Sequence, residues 1–269
     1  MNIKNILDEY ILEDIQTSDH PSDFVTTDTH SMLILRLPQL HEQTHTIDIY
    51  SYAFIIQDET VYLYNRDENS FTAIGTLEAL NEFLDKRIET LIKEVKKYYL
   101  EIDELEDTFY EHTHDNQFMS KWLTYKKELS LIHRLIFDAT LSLDLFMKYH
   151  KNNKSYEKLA YADLYEHMER IQDLVKASLD KLDHLYNFYR AKVDEKMNKN
   201  IYYLTLLSGI FLPLTLISGF FGMNTGGLPF VEDYDGTFKV LIIALIFEVL
   251  VFIPFAIIVF LNKSKKFKR

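Results

Sequence analysis

The chain has 269 residues, with 41 acidic and 29 basic side chains, a net charge of −12 and no cysteine. That length allows one sizeable soluble domain plus a small membrane part. The missing cysteine excludes disulfides, thiolate metal sites and cysteine nucleophiles. The acidic balance disfavours nucleic acid and draws cations to the surface.

The N-terminus reads MNIKNILDEYILEDIQ, with acids where a signal peptide needs a basic start and an apolar core. We expect this end to stay in the cytosol. Residues 1–75 carry the strand signals. Asp23 to Asp28, Ser31 to Leu37, Ile47 to Gln57 and Thr60 to Asn65 are rich in Val, Ile, Tyr and Thr, with turn residues between them. They predict a small mixed domain around a central sheet, opened by a short helix near Ile6 to Ile15. No nucleotide loop, G-x-G-x-x-G or G-x-S-x-G is present, and no residue constellation suggests an enzyme.

From Thr76 the period becomes helical. Leu77, Leu80, Leu84, Ile88, Leu91, Val95, Ile102, Leu105 and Phe109 mark one apolar face through residue 111. The polar stretch Glu111 to Gln117 turns the chain. His112, His114 and Asp115 within it offer metal-ligating atoms, but such pairs are ordinary in exposed loops. A second long helix is expected from Phe118 to Tyr149, with Trp122, Leu129, Ile132, Leu135, Ile136, Ala139, Leu143 and Phe146 inward. A third starts near Ser155 and meets no breaker before Pro213. In it Leu164, Met168, Ile171, Val175, Leu182, Leu185 and Tyr189 follow a seven-residue repeat broken by Ser178. Unbroken to Phe221, this helix would be about 100 Å long at 1.5 Å per residue. It is either a stalk that transmits movement or a plain packed hairpin. Residues 76–200 thus form the long cytosolic helices.

Ile201 to Phe221 is an uncharged apolar run of about 21 residues, long enough to cross a bilayer. Ile201, Leu204, Ser208, Leu212, Thr215 and Gly219 form one stripe on it, with Thr205, Gly209 and Ser218 beside. Small residues and hydroxyls there suit either close helix packing or the wall of a pore. Pro213 removes one backbone donor and predicts a kink. Gly222 is placed to end the helix in a positive-φ conformation. Asn224 then offers a neutral carbonyl oxygen, a hard ligand for a hydrated divalent cation, or simply a cap.

Residues 222–237 make an external loop that holds Glu232, Asp233 and Asp235 and no Lys or Arg. These acids either gather cations at an outer mouth or sit in an ordinary solvated loop. A second span is expected over 238–261, followed by a basic tail over 262–269. Arg190, Lys192, Lys196 and Lys199 precede the first span, so both termini are placed in the cytosol. Glu248 lies near the middle of the second span. An ionisable group there is costly. It is read as a packing group bonded to a hydroxyl such as Ser208 or Ser218, with proton handling as the alternative.

Gly222-Met223-Asn224 at the end of a first span, followed by a second span and a basic tail, resembles the signature of the CorA-type metal ion transporters. Phe211 to Gly219, with its proline and threonine, is similar to that family's first span. Tyr161-Ala162-Asp163-Leu164-Tyr165-Glu166-His167 resembles its stalk, where an aspartate in the position of Asp163 helps form a regulatory metal site between subunits. An arginine common before that aspartate is Ala162 here, and the second carboxylate, expected from the N-terminal domain, cannot be placed from sequence.

The resemblance implies an α+β cytosolic domain whose long stalk helix continues into a two-span membrane hairpin, assembled as a homopentamer in the cell membrane. It implies a pore entrance at Gly222, Met223 and Asn224, and pore-lining positions at Asn198, Leu204, Ser208, Leu212 and Thr215. It implies no cofactor beyond the divalent ion itself, and membrane lipid and further copies of the chain as partners. The implied activity is divalent cation transport, with magnesium first and cobalt or nickel as mimics. The loop Thr225-Gly226-Gly227-Leu228-Pro229-Phe230 lacks the acids that often follow the motif in magnesium members. It looks more like the ZntB-type branch, associated with zinc and proton coupling. From a different class, a long helix joined to two spans also fits a non-conducting membrane-anchored sensor or scaffold.

Overall fold

The computed structural model describes residues 3, 7–41, 46–111, 117–223, 226–230 and 232–266. They divide into two compact units, Met1–Asn187 and Phe188–Arg269.

The first unit opens with helix α1 (Glu9–Gln16) and five strands: β1 (Asp23–Thr26), β2 (Ser31–His41), β3 (Thr46–Gln57), β4 (Thr60–Asn65) and β5 (Ser70–Gly75). They form one antiparallel meander in the order β1-β2-β3-β4-β5. β3 and β4 are joined through Asp58 and Glu59, both at positive φ, the turn geometry that matches the twist of two neighbouring strands. Met32, Leu33, Ile34 and Leu35 are all buried, which tells that β2 is covered on both faces. Successive side chains point oppositely along a strand. On one face Met32, Ile34, Ala53 and Ile55 pack with Ile11 and Ile15 of α1. On the other, Phe54 and Tyr52 meet Phe83 of helix α2 (Leu77–Glu111) edge to face, with ring centroids 5.5 and 5.4 Å apart.

β2 runs past the expected end at Leu37 to His41 because Pro38 falls on an unpaired edge. β1 covers β2 only as far as Ile34, opposite Asp23. The N–H of Arg36 points to that same side and donates to Ser22 Oγ at 2.9 Å. Two residues on, the donor that Pro38 lacks would face the same way, so no rung of the β2–β3 ladder is lost.

Helices α2 and α3 (Phe118–His150) and the start of α4 (Lys158–Phe221) complete the unit. All nine apolar positions expected on α2 are buried. On α3 the expectation holds except at Trp122, which is half-buried, stacks on Tyr186 and donates Nε1 to the Leu182 carbonyl at 2.8 Å. Leu164, Met168, Ile171, Val175, Leu182 and Leu185 of α4 are buried, and so is Ser178 in the gap of their repeat, its hydroxyl donating to the Leu174 carbonyl. α4 starts at Lys158 rather than near Ser155. Asn153 Oδ1 accepts from the Ser155 N–H and hydroxyl, which holds this stretch as a turn.

The second unit holds the C-terminal part of α4 and helix α5 (Gly236–Lys266). α4 continues through Pro213 as one helix. Among the described residues it is the one helix long and apolar enough to cross a membrane.

Candidate functional site

The expected pore stripe lies on the apolar end of α4 and is open. Leu204 is 64% exposed and Leu212 74%, and Asn198, Ser208 and Thr215 are exposed too. Ser208 donates to the Leu204 carbonyl at 2.9 Å and Thr215 to the Phe211 carbonyl at 2.7 Å. Each hydroxyl spends its proton on the helix and keeps oxygen lone pairs facing outward. A stripe of that kind accepts from water or contacts a cation, and offers no proton to an anion.

α4 ends at Phe221, and Gly222 donates its N–H back to the Ser218 carbonyl at 2.9 Å. Gly222 does not take the positive φ expected of it; Gly75 and Gly227 do. The reason for glycine is close approach instead. A Cβ at 222 would stand 2.9 Å from the Ser218 carbonyl oxygen. Met223 follows, its N–H toward the Phe220 carbonyl. Asn224, the expected ligand of the entrance, lies outside the described residues, as do His112, His114 and Asp115.

Of the three loop acids, Asp233 is neutralised by Lys239, at 2.6 Å, just beyond the loop. Glu232 and Asp235 are exposed and make no ion pair among the described residues, so they carry what net charge the loop presents. Within the same unit, Leu216, Ile217, Phe220 and Phe221 of α4 face Ile243 and Phe247 of α5 across an apolar cleft. Glu248 is half-buried beside it. The Ser208 and Ser218 hydroxyls proposed as its partners donate to their own helix, to Leu204 and Thr215, and Glu248 Oε2 is buried with no hydrogen-bond partner. The expected bond is therefore not made.

Asp163 has the company that the sequence did not reveal. It sits in the first turns of α4, one turn before His167, and Asp85 of α2 faces both. His167 Nδ1 is 3.5 Å from Asp85 Oδ1, and His167 Nε2 is 3.9 Å from Asp163 Oδ1. One ligand atom from each residue falls within 4.8 Å of the others. Asp85 Oδ1 and His167 Nδ1 are both buried and lack hydrogen-bond partners. Buried polar atoms are normally satisfied, and a cation held between them would satisfy both. Two carboxylates and an imidazole suit zinc or cobalt better than magnesium, which prefers oxygen ligands alone. His167 was readable as the i+4 neighbour of Asp163. Asp85 lies 78 residues earlier, on an ordinary amphipathic helix, and only folding identifies it.

The chain is similar to known proteins along most of its length. A family profile described as CorA-like Mg2+ transporter protein matches residues 4–263. The zinc transport protein ZntB of Vibrio parahaemolyticus is 25% identical over 233 residues, 84% of this chain and 72% of that protein. The cobalt/magnesium transport protein CorA of Thermotoga maritima is 36% identical over 69 residues, 26% of this chain and 20% of that one. Among solved structures, the CorA magnesium transporter of Methanocaldococcus jannaschii superposes with a TM-score of 0.71 over 93% of this chain and 83% of that one, at 17% identity. A sheet-and-helix unit, a long helix ending in the Gly-Met-Asn motif and a match along nearly the whole sequence make this chain a member of the CorA-like Mg2+ transporter family, proteins that move divalent metal cations and are not enzymes.

Proposed function

We propose that the chain forms a homopentameric, two-span pore in the cell membrane with both termini in the cytosol, and that zinc-class ions regulate and cross it. The observation that carries this reading is the Asp85–Asp163–His167 cluster, which joins α2 to α4. Five Asn224 amides ring the entrance and hold a hydrated ion by neutral oxygens. Leu204 and Leu212 close the pore by dewetting, with Ser208 and Thr215 supplying polar steps between. Metal in the cytosolic cluster binds the closed arrangement better than the open one. Its loss shifts the population toward conduction. α4 begins in the first unit and ends in the second, so the change has a continuous helical route.

Zinc is favoured by the imidazole in the cluster, by the acid-free stretch Thr225 to Phe230 directly after Gly222-Met223-Asn224 and by the similarity to the zinc transport protein of Vibrio parahaemolyticus. Magnesium, which the sequence placed first, is the second reading. It is favoured by the oxygen-only entrance and the family description. Glu248, buried at one oxygen without a partner, is the residue through which a proton gradient would couple.

The test is flux in liposomes containing the purified protein, zinc against magnesium, with and without a pH gradient, beside Asn224→Ala and His167→Ala. Zinc entry abolished by Asn224→Ala, with His167→Ala conducting at internal zinc levels that shut the parent, is the expected result. Magnesium entry indifferent to His167→Ala moves the assignment to the second reading. No flux of either ion in a folded protein would leave a membrane-anchored sensor.

A further inference from the structure

A cavity of about 290 Å³ opens in the first unit between the β2–β3 surface and α2, lined by none of the acid–histidine cluster residues. Its wall combines two kinds of group. Tyr50 and Tyr52 lie near-parallel, 18° between ring planes and 6.3 Å between centroids, with Tyr50 exposed. Lys86 and Arg87 bring two adjacent positive charges from α2. Neither makes an ion pair among the described residues, in a region that is otherwise strongly acidic: residues 1–200 hold 37 of the 41 acids.

Arg87 is held in place without a carboxylate. Its guanidinium lies 3.3 Å from the Phe83 ring centroid and 4.9 Å from that of Tyr52, and Nη1 donates to the Phe83 carbonyl at 2.9 Å. Packing on aromatic faces fixes the group and leaves its charge uncompensated. Lys86 is exposed and mobile enough to follow an anion. Among the described residues Glu94 is the acidic one lining the cavity, and its Oε2 accepts the Leu40 N–H at 3.4 Å.

We propose that this cavity binds a nucleoside monophosphate or a closely similar flat-ringed phosphate. The phosphate lies against Lys86 and Arg87, and the ring stacks on Tyr50. The cavity is at the small end of ligand pockets, which favours one phosphate over three. Recognition here is by side chains, consistent with a sequence that has no phosphate-binding glycine loop. Base stacking on an exposed tyrosine with a neighbouring cation is a tolerant mode of recognition.

The experiment is calorimetric titration of the full-length protein in detergent, in metal-depleted buffer, with adenosine monophosphate. The monophosphate is chosen because it chelates divalent ions weakly. Adenosine and inorganic phosphate are titrated beside it. Saturable binding of the monophosphate, at least about tenfold tighter than either fragment, is expected. Lys86→Gln and Tyr50→Ala, both at exposed positions, should each weaken it at least about tenfold while thermal unfolding stays unchanged. No binding, binding equal to that of inorganic phosphate or adenosine, or binding indifferent to both substitutions would overturn the proposal.

Discussion

The two units handle apolar surface in opposite ways. In the first, Phe54, Leu84, Ile132 and Ile171 are buried within the chain's own fold. In the second, Leu204, Leu212, Leu216, Phe238 and Leu250 are each at least 64% exposed on regular helices. Water would charge about 25 cal/mol for each Å² of such surface, and soluble monomers rarely expose it in continuous patches. Polar groups show the same division. The first unit ties its helices together with side-chain bonds such as Tyr161 to the Leu77 carbonyl and Lys126 to Asp183. Helix hydroxyls close onto their own helix in both units, and at the apolar end of α4 no side-chain bond to another helix stands beside them among the described residues. One unit is finished by folding, while the other is finished by lipid and by neighbouring helices.

The sharpest way to break this contrast is to cut into each unit at an apolar residue. Phe54→Ala should cost the first unit about 3–5 kcal/mol, because a fully buried ring between sheet and α2 leaves a cavity. Thermal or denaturant unfolding of the detergent-solubilised protein reads it. An acid titration reads one buried group of the first unit. His150 is buried against Phe146 and Tyr149 and bonded to Ser31 Oγ at 2.9 Å, and burial pushes its pKa down to about 4. Unfolding frees it to bind a proton near pH 6.5. Its contribution is therefore full above that pH and is lost as pH falls toward 4, by about 3 kcal/mol in all. His150→Gln should flatten that part of the stability–pH curve. The smallest effect is expected at Leu212→Ala, within about 0.5 kcal/mol for folding since the side chain touches little in its own chain. The same substitution should raise resting ion leak in liposomes if Leu212 closes the pore. A large loss of folding stability there would erase the contrast.

Much of this contrast was legible because periodicity reports burial. The α2 face from Leu77 to Phe109 and the heptad positions of α4 from Leu164 to Leu185 were read in their observed places, since one buried stripe per helix leaves a 3.6-residue signature, whereas Tyr189 is only half-buried. β5 was not read. Ser70-Phe71-Thr72-Ala73-Ile74-Gly75 is a short edge strand with little burial, so it carries no alternation to find. α4 was started too early because the Asn153 turn competes locally with a helix by one side-chain oxygen, a contest that composition does not decide. At the site, Asp163 came from a motif, but Asp85 and the three-residue cluster came from the packing of α2 on α4. The role given to the Ser208 and Ser218 hydroxyls failed for a simple reason. A helix carbonyl one turn back is nearer than a carboxylate on another helix.

The edge of β2 has a consequence for life in a crowded membrane. Copies of one chain confined to a plane meet each other's exposed strands often, and an open edge is a template for adding another strand. Along the free side of β2, the Arg36 donor is taken by Ser22, the donor at Pro38 does not exist, and the Leu40 donor is taken by Glu94. No outward amide along this run is left to recruit a second chain. The strand can lengthen to support the sheet without becoming adhesive, which leaves contacts between copies to surfaces other than this edge.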